Sequence, residues 1–140
     1  MCNKIKEWFI SKPVVRWILF FPIAWISSII GNLLWELLSR IIFIFMPTDS
    51  LFFKIFNYSF SGLFTGIIFM YVGVYIAPAK KKSISILLLI LTILHSFITI
   101  FDVFFIYLEK DYWIILFAIF LIFGSVFSFL IINEKKNNNE

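Results

Sequence analysis

The chain has 140 residues, of which 62% are hydrophobic and only 14% charged, and it carries a formal net charge of +4. Its mean hydropathy is +1.02, whereas soluble domains are typically about 25% charged. A water-soluble fold of this length could not hide so much apolar surface, and the spans described below leave no room for a second, aqueous domain.

Stretches 17–35, 55–79, 83–101 and 112–132 contain no charged residue. About twenty apolar residues at ~1.5 Å each cross a hydrocarbon core of ~30 Å. The expected fold is therefore an all-α membrane protein: a four-transmembrane-helix antiparallel bundle with a short N-terminal interfacial amphipathic helix, forming one integral membrane domain over 1–140.

Residues 3–12 mix Lys4, Lys6, Glu7 and Lys12 with Ile5, Trp8, Phe9 and Ile10, a pattern that suits a helix lying on a membrane surface. The basic start and the apolar run after it fail as a signal peptide, because the run is too long and no small-x-small site closes it. The first span is expected over 14–46, with Pro22 and Gly31 as weak points and Met46-Pro47-Thr48-Asp49 as the closing turn. The second is expected over 53–77, stopped by Pro78. The third is expected over 83–108 and the fourth over 112–132, with 133–140 as a polar cytoplasmic tail.

Lys4, Lys6, Lys12, Arg16, Lys80, Lys81, Lys82, Lys135 and Lys136 fall on one side of this arrangement. Lys54, Lys110 and Arg40 fall on the other. The positive-inside rule then places both termini and the Lys80–Lys82 turn in the cytoplasm, with the chain in the plasma (cytoplasmic) membrane, the inner membrane of a two-membrane cell. Trp8, Trp17, Trp35, Tyr107, Tyr112 and Trp113 lie near the boundaries where aromatic rings concentrate. Lysines beside a bilayer hold anionic headgroups, so Lys80, Lys81 and Lys82 are expected to contact lipid, and nucleic acid is not an expected partner.

Helices in a membrane associate through small residues and interhelical hydrogen bonds, because lipid tails are as apolar as leucine. Ser59, Gly62, Gly66 and Gly73 share one face of the second span, and Gly124 and Ser128 have the same four-residue step in the fourth. These are the expected packing surfaces. Polar residues at depth form a second pattern. Ser85, Thr92, His95, Thr99 and Asp102 follow one side of the third span, and Asn32, Glu36 and Arg40 recur every four residues in the first. Glu36 is twenty residues past Arg16 and Asp102 twenty past Lys82, so each lies ~30 Å from the same boundary. Asn32, Glu36, Arg40, His95, Thr99 and Asp102 thus form a candidate intramembrane polar cluster.

Cys2 and His95 are the only residues of their types. An intrachain disulfide and a bis-imidazole metal site are thereby excluded, and neither a metal nor a cofactor is expected. No Ser-centred glycine motif or metal-spaced cluster is present, so the chain reads as non-enzymatic. The expected role is an accessory, immunity or effector-like subunit acting through helix association, as a homo-oligomer or with a second membrane protein. The alternative is an oligomeric transporter or channel that passes protons, cations or a small polar ligand through the polar cluster.

Overall fold

The computed structural model describes residues 13–77, 81–105 and 112–137. They form α1 (Pro13–Ile42), α2 (Leu51–Ile76), α3 (Lys81–Phe105) and α4 (Tyr112–Asn137). All four helices are long and apolar enough to cross a membrane, and no strand occurs among the described residues. The predicted interfacial helix over 3–12 lies outside the described residues, as does Lys80.

Several boundaries depart from expectation, and the third helix starts at Lys81 rather than 83, so Lys81 and Lys82 belong to a helix and not to a turn. The first helix stops at Ile42 rather than 46. Phe43 N still bonds Ser39 O at 3.0 Å, but Met46 N bonds Phe43 O at 2.8 Å, so the chain tightens into turns ahead of Pro47. The second helix starts at Leu51 because Ser50 caps it: Phe53 N donates to Ser50 Oγ at 3.2 Å, meeting one of the unpaired donors of a helix start. The fourth helix continues to Asn137, so 133–137 extend the last span as a polar helical turn instead of beginning a tail. Pro22 does not break α1, which is continuous across it.

Contacts pair the start of α1 with the end of α2. Arg16 Nε donates to Ile76 O at 3.0 Å and an Arg16 terminal nitrogen to Ala77 O at 3.2 Å. These carbonyls are among the last of α2, which no helical N–H can reach, and a cation there also meets the negative end of the helix dipole. At the opposite end Ser39 meets Asn57, and Phe43 packs edge-on against Phe52 and Phe53. Between these ends Trp35 stacks on Phe60 and Phe64, with centroids 5.4 and 5.0 Å apart.

Helix α2 is the centre of the molecule: α1, α3 and α4 all pack on it, and α4 also packs on α3. Its tightest contact is with α4. A Cβ at Gly62 would overlap Phe117 O, one at Gly66 would overlap Leu121 O, and one at Gly124 would overlap Leu63 O. Backbone therefore meets backbone from both sides, an approach open only to residues without a side chain. Near the Arg16 end, Phe20, Met70, Val74, Ala77, Ile84 and Leu88 close an apolar core. Among the described residues the backbone of α1 comes close to α2 alone, and its Phe20 side chain joins Ile84 and Leu88 of α3 in the apolar core.

Candidate functional site

Because α1 and α3 both lean on α2 and share a core only at the Arg16 end, a cleft remains between them. Its volume is about 590 Å³. Phe21, Trp25, Ile29 and Leu33 form the α1 wall, and Leu91, Leu94, His95 and Ile98 form the α3 wall. Thr65, Gly66 and Phe69 of α2, with Phe117 and Leu121 of α4, make the floor. The apolar core seals the cleft toward the Arg16 end. Trp25, Leu33, Leu94 and Ile98 are exposed, so its mouth faces sideways.

Most hydroxyls lining the cleft are turned away from it. Ser28 Oγ donates to Trp25 O at 2.7 Å, Thr65 Oγ1 to Ser61 O at 2.7 Å and Thr92 Oγ1 to Leu88 O at 2.9 Å. Each bonds a carbonyl of its own helix, which satisfies the group where water is scarce. The surface left for a ligand is therefore mainly hydrocarbon and aromatic.

A second cavity of about 280 Å³ lies toward the Arg40 end. Asn32 and Glu36 of α1, Asn57, Tyr58 and Ser61 of α2, and Ile114 and Phe117 of α4 line it. The Ser61 hydroxyl donates to Asn32 Oδ1. Ser39 Oγ lies 2.9 Å from both Glu36 O and Asn57 Oδ1, and its single hydrogen serves one of them at a time. Arg40 donates to Glu36 Oε1 at 2.8 Å across one helical turn, with both side chains exposed.

The structure divides the candidate polar cluster. Asn32 and Glu36 sit in the second cavity with Arg40 beside them. His95 belongs to the α3 wall of the cleft and is exposed there, while Thr99 Oγ1 donates to His95 O at 2.9 Å. Asp102 is half-buried and forms no ion pair among the described residues. Arg40 therefore neutralises Glu36 and does not reach Asp102, since α1 and α3 are separate neighbours of α2. On α3, Ser85 and Thr92 turn into the packed side with Ser96, and His95 does not.

The small-residue face of α2 is consumed within the chain. Gly62 and Gly66 meet α4, and Gly73 meets Leu88 of α3 and Ala24 of α1. Ser59 and Ser128 are also buried. Lys81 and Lys82 are exposed at the start of α3. Residues that spacing arguments passed over are Asn57, Ser61 and Thr65, which repeat every four residues along α2 as Asn32, Glu36 and Arg40 do along α1. That matching period was the available signal.

No group of three or more His, Cys, Asp or Glu side chains gathers among the described residues in a way that could hold a metal. The exposed Glu36–Arg40 pair is expected to contribute little to folding, since such pairs are worth about 0–1 kcal/mol. Arg40→Gln should therefore shift the stability measured by thermal unfolding in detergent by less than about 1 kcal/mol.

The four apolar helices and their side-facing cleft define an all-helical chain of the kind found in multi-pass membrane proteins. No known protein family, curated protein or solved structure matches it.

Proposed function

We propose that the chain is a non-enzymatic protein of the plasma membrane that acts through helix association, with itself or with a second polytopic chain, as an accessory, immunity or effector-like subunit. Its spans alternate in direction, with both termini and the lysines at the start of α3 on the cytoplasmic side. The pairing of Arg16 with Ile76 and of Ser39 with Asn57 supports the alternation, and the distribution of lysines and arginines supports the orientation.

The observation that carries this reading is the position of α1. Its backbone packs closely on one neighbour, and Ile26, Ile30, Leu37 and Ile41 form an exposed aliphatic ridge on its outward side. With the glycine face of α2 already used inside the chain, this ridge is free to meet another span. A photo-crosslinking residue at Ile30 or Leu37 is expected to join the chain to a second copy or to another membrane protein in intact cells. Adducts with lipid alone at both positions would refute this reading.

A second reading, an oligomeric carrier for protons, cations or a small polar ligand, draws support from the two cavities sharing Asn32 and Phe117. In that case Asn32→Leu should abolish transport by reconstituted vesicles while leaving assembly intact.

A further inference from the structure

The cleft and the polar cavity adjoin at Asn32 and Phe117, which line both, and together they make a space whose character changes along α1. Near Glu36 it presents a carboxylate, two carboxamides and two hydroxyl-bearing residues, with the Arg40 guanidinium alongside. From Leu33 to Phe21 it presents aromatic and aliphatic carbon, because the hydroxyls of Ser28, Thr65 and Thr92 bond their own helices.

We propose that this space is a binding site for one membrane phospholipid with a zwitterionic head. The head lies beside Glu36 and Arg40, and an acyl chain fills the cleft between α1 and α3. Three features on the molecule select this occupant. The first is charge complementarity: the Glu36–Arg40 pair offers one negative and one positive group, which match the ammonium and phosphate of a zwitterionic head without leaving either protein charge alone. An anionic head satisfies Arg40 but faces Glu36. The second is length. Glu36 to Phe21 spans fifteen residues, ~22 Å along the helix, enough for a head at the boundary and a chain across one leaflet of ~15 Å. The third is access, since the mouth between Leu33 and Ile98 opens sideways and a chain can slide in while its head stays at the membrane surface. A cleft of about 590 Å³ also lies within the ~300–1,000 Å³ of small-ligand pockets. A helix seated in the cleft would leave the polar end unmatched.

The proposal does not depend on the outward ridge of α1, so the two readings fail separately. The test uses the full chain in nanodiscs of equal phosphatidylethanolamine and phosphatidylglycerol, released gently for native mass spectrometry. One phosphatidylethanolamine is expected to stay with each chain, favoured about tenfold over phosphatidylglycerol. Glu36→Gln should remove most of that preference, Arg40→Gln should weaken retention of both lipids while the preference stays, and Leu33→Trp, an exposed change at the mouth, should remove the retained lipid while the thermal transition persists. Equal retention of both lipids, or retention unchanged by Leu33→Trp, would mean ordinary boundary lipid and overturn the site. A disulfide between copies formed through Ile98→Cys in a Cys2→Ser background would assign the cleft to a helix instead, and equally overturn it.

Discussion

The double substitution Gly62→Ile with Gly66→Ile is expected to lower stability in detergent by more than about 3 kcal/mol, or to prevent folding. Side chains added at these positions would run into Phe117 O and Leu121 O, with Leu121 N 3.1 Å from the first new Cβ and Ser125 N 2.9 Å from the second. These are backbone atoms of a helix, which cannot yield as a side-chain tip can, so α2 and α4 must separate. Separation removes the closest packing in the molecule, and lipid offers no hydrophobic drive to restore it. Gly73→Ala is the informative contrast, because its new methyl would meet chiefly Leu88 Cδ1, the end of a flexible side chain. Its cost should be small, partly offset by the better helix propensity of alanine, worth about 1 kcal/mol. Thermal unfolding followed by circular dichroism checks both, and equal melting of the double variant and the parent would remove the packing argument.

Arg16→Met is expected to cost about 2–4 kcal/mol and to loosen the end of the bundle where α1 begins. Methionine keeps much of the side-chain length but removes two charge-assisted hydrogen bonds, to Ile76 O and Ala77 O. Bonds of this type contribute about 1.5–3 kcal/mol each, and their loss leaves helix-end carbonyls unpaired. The contribution is below the sum of two full bonds because Arg16 is only half-buried and water can reach part of it. Amide hydrogen exchange should rise at the last turn of α2 and stay unchanged near Ser50, whose cap is independent of Arg16. Uniform exchange along α2 would show that Arg16 does not hold this end.

Much of the fold could be read along the chain, since the hydrophobic runs are long and the charges that bound them are few. The packing faces were also legible, because Gly62 and Gly66, and likewise Gly124 and Ser128, are four residues apart. Helix ends were less so. The turn before Pro47 ended the first helix earlier than hydropathy did, and Glu134 and Lys135 were accommodated in a helix that hydropathy had closed at Ile132.

The candidate site was legible only in pieces. Depth along each helix placed Asn32, Glu36, Arg40, His95 and Asp102 at comparable levels, but depth carries no information about azimuth or neighbour. Two residues at comparable depth need not pair, as Arg40, which bonds Glu36, and Asp102 show. The Asn57, Ser61 and Thr65 series was overlooked because its members are uncharged and scattered in a strongly apolar span.

Oil-compatible surface along nearly the whole chain was determined by the sequence alone, because length and hydropathy of a segment are properties of that segment. Which helix stands beside which was decided only in three dimensions. Contact order around α2 depends on the close backbone approach at Gly62, Gly66 and Gly124, and that approach draws α4 in while leaving α1 and α3 apart. The cleft between them is the consequence, and no single helix encodes it.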